Sequence, residues 1–151
     1  MSDAARRMKP PMWLILFGLA QLALHRWLPG PTLFSPPWIN LGLLPGFAGV
    51  TLVIWCLFLF WRHHTNPVPF AEASHLVQDG PYRVSRNPIY LGLTLILASA
   101  ALFLGTTSPW LPVVSFFLVL RQRFVLREEP WLRARFGAEY QDYVRRVRRW
   151  I

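Results

Sequence analysis

Only one of the 151 residues is a cysteine, and only seven are acidic. Cys56 stands alone inside an apolar run, which excludes a disulfide framework and a thiolate metal site and reads as a small buried hydrophobe. Charged residues make up 15% of the chain against 54% hydrophobic ones, and the mean hydropathy is +0.31. That balance is too apolar for an ordinary soluble domain and suits a single membrane domain over residues 1–151. A cleavable signal peptide is not expected either, because the first apolar run lacks a small-residue cleavage site and ends in His25-Arg26-Trp27.

Sixteen basic residues against the seven acids leave a net charge of +9, which suits either nucleic acid or anionic lipid. Position decides between them. Arg6, Arg7 and Lys9 precede the first apolar run, Arg62 follows the second, Arg83 and Arg86 precede the third, and nine arginines follow Leu120. The segments between the first and second runs and between the third and fourth hold almost no charge, Arg26 excepted. This alternation fits four spans with both termini and the central loop on the cytoplasmic side, in the inner membrane of a bacterium or the endoplasmic reticulum of a eukaryote. It argues against a nucleic-acid partner.

The expected fold class is therefore all-α and polytopic: about four transmembrane helices plus an amphipathic interfacial helix. Residues 12–28 form the first span, with Arg26 at the outer interface, and residues 28–37, rich in proline, form an outer loop. The second span, residues 38–61, is bracketed by Trp38 and Trp61 and is expected to kink at Pro45-Gly46. Residues 62–87 form a long cytoplasmic loop. His63, His64 and His75 in it lack the cysteine or spaced acid pair that would complete a metal site, so no metal is expected, and Glu72 and Asp79 read as solvated or capping acids. Spans three and four, residues 88–105 and 109–126, are joined by Thr106-Thr107-Ser108, which forces an antiparallel hairpin. The hairpin returns Arg121, Arg123, Glu128 and Glu129 to the side that holds Arg83 to Gly92. Residues 131–151 carry Leu132, Phe136, Tyr140, Tyr143, Val144 and Val147 at helical spacing opposite basic residues, which fits either a surface anchor or a lid.

The stretch GPYRVSRNPIYLG, residues 80–92, combines a Gly80-Pro81 turn with Asn87-Pro88, a favoured N-cap followed by a favoured first helical residue. Arg83 and Arg86 thus precede a helix N-terminus, where anions are attracted; snorkelling to lipid headgroups is the plainer alternative. Together with Glu128, Glu129, Leu132, Phe136, Gly137, Tyr140 and Tyr143, this stretch closely resembles the isoprenylcysteine carboxyl methyltransferase family and its relatives, the phospholipid methyltransferases. The pattern G-P-Y, R-H-P-x-Y-x-G, a hydrophobic hairpin, E-E-x-x-L, F-G and two tyrosines is matched from about residue 62 onward. Asn87 departs from it where histidine is more usual, and Pro130 directly after the glutamate pair is a second departure.

The resemblance implies S-adenosyl-L-methionine as cofactor. It assigns catalytic roles to Arg86 and Glu129 and cofactor binding to Gly80, Pro81, Tyr82, Arg86, Asn87, Pro88, Tyr90, Gly92, Glu128 and Glu129. Residues 62–151 become the cofactor half, and the helix pair of residues 12–61 becomes the acceptor side. The acceptor is expected to be lipophilic or small and hydrophobic: a prenylated cysteine, a phospholipid headgroup or a thiol. Two alternatives remain at this stage, an NADPH-dependent membrane reductase with a similar R-H-P-x-Y-x-G core and a non-catalytic membrane scaffold. No secure general base is visible.

Overall fold

A computed structural model describes residues 9–67 and 74–151; Arg6, Arg7 and Glu72, named above, lie outside the described residues. Within them the chain is helical with no strand, in the order α1 (Pro10–Trp27), α2 (Leu43–Arg62), α3 (Pro88–Leu104), α4 (Trp110–Leu120) and α5 (Leu126–Arg146). Prolines at the first helical positions start α1 and α3, where a missing N–H costs nothing. A 3-10 turn, Trp38–Gly42, leads into α2. The expected kink at Pro45-Gly46 is absent, since Pro45 falls in the first turn of α2 and the irregular backbone lies just before it. Trp38–Arg62, at 25 residues, is the one described helix long and apolar enough to cross a membrane; at about 1.5 Å per residue it exceeds a hydrocarbon layer of about 30 Å.

The packing centre is α3. Its residues Tyr90, Leu93, Leu97 and Ala101 are buried against Val113, Phe116 and Leu120 of α4, with Trp13, Leu14 and Phe17 of α1 packed on the same cluster. Between α4 and α5 the chain widens into a π-helical turn, Arg121–Val125, which contributes Phe124 and Val125 to this core. The hairpin expected from the short linker is present. Gly105 caps α3 in the left-handed conformation with φ 70°, its N–H donating to the carbonyls of Ala101 and Leu102. The loop after α1 rests on this turn, Leu33 N–H donating to Gly105 O at 2.8 Å and Thr107 N–H to Pro31 O at 3.1 Å.

Polar side chains pin the helices to one another inside this apolar packing. Gln21, 1% exposed, donates from Nε2 to the carbonyls of Leu97 and Pro109, both at 3.0 Å, so a polar residue inside the first apolar run ties α1 to both arms of the hairpin. His25 hydrogen-bonds Thr106 Oγ1 at 2.9 Å, and Arg26 is exposed at the end of α1. Ser99 Oγ donates to Gly42 O at 2.7 Å. Much of α2, by contrast, faces outward with large apolar side chains such as Leu44, Phe47 and Trp61, Phe47 being 78% exposed, a surface that suits lipid.

Helices α2 and α3 cross at Gly49 and Gly92. A Cβ on Gly92 would stand 2.8 Å from Val53 Cγ2 and 2.9 Å from Gly49 O, so the close neighbour that Gly92 admits is α2. Gly92→Leu is expected to force the helices apart and lower stability by about 1–3 kcal/mol, the usual cost of overpacking a filled interface. Thermal unfolding in detergent checks this, and an unchanged midpoint would show the crossing to be looser than described.

Candidate active site

The polar stretch before α3 folds as a short 3-10 turn, Gly80–Arg83. Gly80 has φ 52°, a conformation that favours glycine, and a Cβ there would press on Trp55 and Leu59 of α2 at 3.1–3.2 Å. Tyr82 is buried edge-on against Phe60, and its carbonyl accepts the Tyr143 hydroxyl at 2.7 Å. Asn87 occupies the N-cap position of α3 but makes no side-chain cap. Its Nδ2 donates instead to Arg149 O at 2.9 Å. Ser85 Oγ donates to the same carbonyl at 3.3 Å and Arg86 N–H to Arg148 O at 3.0 Å. Where the family pattern favours histidine, this chain uses an amide to bind its own distal segment.

The hairpin and the π-helical turn deliver Glu128 and Glu129 to this place, and the two carboxyls enter different surroundings. Glu129, 16% exposed, receives both arms of Arg149, Nε to Oε1 at 2.7 Å and Nη2 to Oε2 at 2.8 Å. It also lies 3.2 Å from Arg86 Nη1, a nitrogen that donates in addition to the Tyr140 hydroxyl at 3.2 Å. Among the described residues Glu128 has no ion pair and accepts only the Tyr90 hydroxyl, at 2.6 Å. Burial without a counter-charge pushes its carboxyl up from 4.5 to about 7, although the Tyr90 hydrogen bond pulls the other way. The partners of both glutamates are thus long-range in sequence.

Both glutamates line a cavity of about 320 Å³. Val53, Leu57 and Phe60 of α2 and Leu93 of α3 are among its apolar lining, and Arg86, Asn87, Tyr90, Glu128 and Glu129 are among its polar lining. Helix α5 adds Trp131, Leu132, Tyr140 and Tyr143. Leu132, Phe136 and Val144 pack on buried Leu76, Tyr140, Tyr143 and Val147, and of this expected apolar stripe Leu132, Tyr140 and Tyr143 line the cavity. The helix bends at Gly137, φ 52° and ψ −120°, and ends at Arg146, so Val147 and Arg149 sit on an extended segment beyond it.

Of the residues expected at the site, Tyr82, Arg86, Asn87, Tyr90, Glu128 and Glu129 line one cavity, whereas Gly80, Pro81, Pro88 and Gly92 do not and shape the turn and the helix crossing around it. Arg83 lies in a neighbouring groove with Asp79 and Arg146, and Arg123 lies over the Trp13 ring at 5.2 Å. Asp79 holds His63 Nε2 at 2.8 Å, and His63 stacks on His75, which reaches the cavity wall. Sequence reasoning missed Arg149 as the partner of Glu129, because continuing the amphipathic helix to the last residue put that arginine on a solvent face. The basic-aromatic run Arg148-Arg149-Trp150 was the available signal.

The family model described as phospholipid methyltransferase matches residues 38–139. An uncharacterized protein of Haemophilus influenzae is 46% identical over 63 residues, covering 42% of this chain and 100% of that protein. A protein of Alcaligenes xylosoxydans xylosoxydans named nickel-cobalt-cadmium resistance protein NccN is 28% identical over 143 residues, 90% of this chain; the match spans 61% of that relative's length. No solved structure matches the chain significantly.

The raised carboxyl of Glu128 sets a pH dependence. Folding favours its protonated form, so its contribution to stability is complete below about 4.5 and is lost as pH rises through about 7. The unfolding midpoint of the wild type is therefore expected to fall, relative to that of Glu128→Gln, between these values and to run parallel outside them. A difference that does not change with pH would contradict the burial described.

Proposed function

The chain belongs to the phospholipid methyltransferase family, and we propose that it is an integral-membrane enzyme transferring a methyl group from S-adenosyl-L-methionine to a lipophilic or small hydrophobic acceptor at the cytoplasmic face. In this reading Trp38–Arg62 is joined in the bilayer by α1, α3, and α4 with its π-helical continuation, and both termini face the cytoplasm. The arginine distribution and the outward-facing apolar side chains support that arrangement.

The observation that carries the reading is the mixed lining of the cavity. Its apolar lining includes Val53, Leu57 and Phe60 of α2; its polar lining includes a carboxyl without a counter-charge and an arginine whose buried Nε is unpartnered, both among the described residues. A buried polar group without a partner is costly, and the pairing of one spare acid with one spare donor fits an amino-acid ligand that bears both charges. Bound there, S-adenosyl-L-methionine supplies a methyl group activated on a sulfonium. Glu128 meets positive charge, Arg86 meets negative charge, and Gly80, Pro81, Pro88 and Gly92 hold the turn and helix that position them. Tyr140, Tyr143 and Trp131 exclude water, which favours an in-line displacement by alignment and desolvation. The apolar lining receives the acceptor, a prenylated cysteine, a phospholipid headgroup or a thiol being the classes that fit apolar and polar groups in one chamber.

Calorimetry on the detergent-solubilised protein is expected to show S-adenosyl-L-methionine binding that weakens about tenfold or more in Glu128→Gln, the loss of one charge-assisted contact. Membranes incubated with methyl-labelled cofactor are expected to gain label in the lipid-extractable or small-molecule fraction. Absence of binding, together with absence of label above that of membranes lacking the protein, would overturn the proposal.

A further inference from the structure

Two arginines share one carboxylate in the lining of the cavity. Arg149 takes both Glu129 oxygens in a two-point contact, 2.7 and 2.8 Å. Arg86 approaches the same group only through Nη1, at 3.2 Å, and shares that nitrogen with the Tyr140 hydroxyl. The Arg86 side chain is 10% exposed, and among the described residues its buried Nε has no partner. A guanidinium is a planar fork that matches one carboxylate edge to edge. If Glu129 were vacant, turning the Arg86 fork onto it would satisfy the orphaned donor and neutralise both groups.

We propose that Arg149 is a positioning residue: by occupying Glu129 through both oxygens it keeps Arg86 from closing on that carboxylate and reserves the Arg86 guanidinium for an anionic group of the bound ligand. This rests on the function proposed above, in which the anionic group is the carboxylate of the cofactor's amino-acid end. Arg149 can hold its place because the motif residues grip the segment that carries it. Ser85 Oγ and Asn87 Nδ2 both donate to Arg149 O, Arg86 N–H donates to Arg148 O, and the Trp150 ring packs on Phe117 with centroids 4.7 Å apart. Residues 85–87 therefore act twice, presenting Arg86 to the cavity and fastening the residue that keeps it free. Asn87 is a positioning residue in the same sense.

Two ligands that differ in the amino-acid end separate this role from a merely structural one. S-adenosylhomocysteine carries the carboxylate, whereas 5′-methylthioadenosine lacks the whole amino-acid end. Calorimetry of the full chain in detergent is expected to show S-adenosylhomocysteine binding weakened about tenfold or more in Arg149→Ala, with 5′-methylthioadenosine changed by less than about twofold. Arg149→Lys, which keeps the charge but offers a single point of contact, is expected to fall between the wild type and Arg149→Ala and serves as the test if the alanine variant does not fold. Equal losses for both ligands, or no loss for either, would overturn the positioning role while leaving the cofactor assignment standing. A wild type that binds the two ligands equally would remove the carboxylate subsite, and one that binds neither would remove the proposed function and this inference with it.

Discussion

Glu129 is the joint on which the site depends, because its carboxylate is the point where three distant parts of the chain meet. Arg86 comes from the turn before α3, Glu129 from the far arm of the hairpin, and Arg149 from the extended segment after α5. The group is largely withdrawn from solvent, and a partly buried charge with good partner geometry loses much more when one partner is removed than an exposed pair does. The constraint also explains the neighbouring glutamate. Glu129 is held at two points by Arg149 and touched by Arg86 through one nitrogen only, whereas Glu128 is left with a tyrosine hydroxyl and burial, and its carboxyl moves toward neutrality. Adjacent residues of the same type thus acquire different chemistry from their surroundings alone.

Helix packing makes that meeting possible. The short turn after α3 sends the chain straight back, and the π-helical turn Arg121–Val125 lies just before Glu128 and Glu129, where a widened turn resets the direction in which the following side chains point. Close approach at Gly49 and Gly92 brings α2 against α3, so that Val53, Leu57 and Phe60 join the apolar lining of the cavity. Helix α5 adds Leu132, Tyr140 and Tyr143 of its apolar stripe to the lining. The result is a chamber lined both by the polar motif residues and by apolar side chains of several helices.

Much of this was legible in the chain itself. Proline and glycine at Pro88 and Gly105 mark helix ends to within a residue or two, and the three-residue linker between apolar runs dictates a hairpin. The convergence of Arg86, Tyr90, Glu128 and Glu129 follows from that hairpin. What local patterns do not carry is the choice of partners. Asn87 reads as a cap by propensity, yet a tertiary hydrogen bond to Arg149 O takes its side chain. Arg149 reads as part of a helical face, yet the helix stops at Arg146 and an extended segment pairs with Ser85 and Arg86. Pro45 reads as a kink because it follows several helical residues in the apolar run, but the helix proper begins only two residues before it. In each case long-range geometry outweighed a short-range preference.

The most direct measurement is a double-mutant cycle on the thermal or denaturant stability of the intact protein, combining Glu129→Gln with Arg149→Ala. If the two-point contact organises the site, the double variant is expected to be little less stable than either single one, with a coupling of about 1 kcal/mol or more. Losses that add to within a few tenths of a kcal/mol would show that the two residues act independently and would contradict a shared joint.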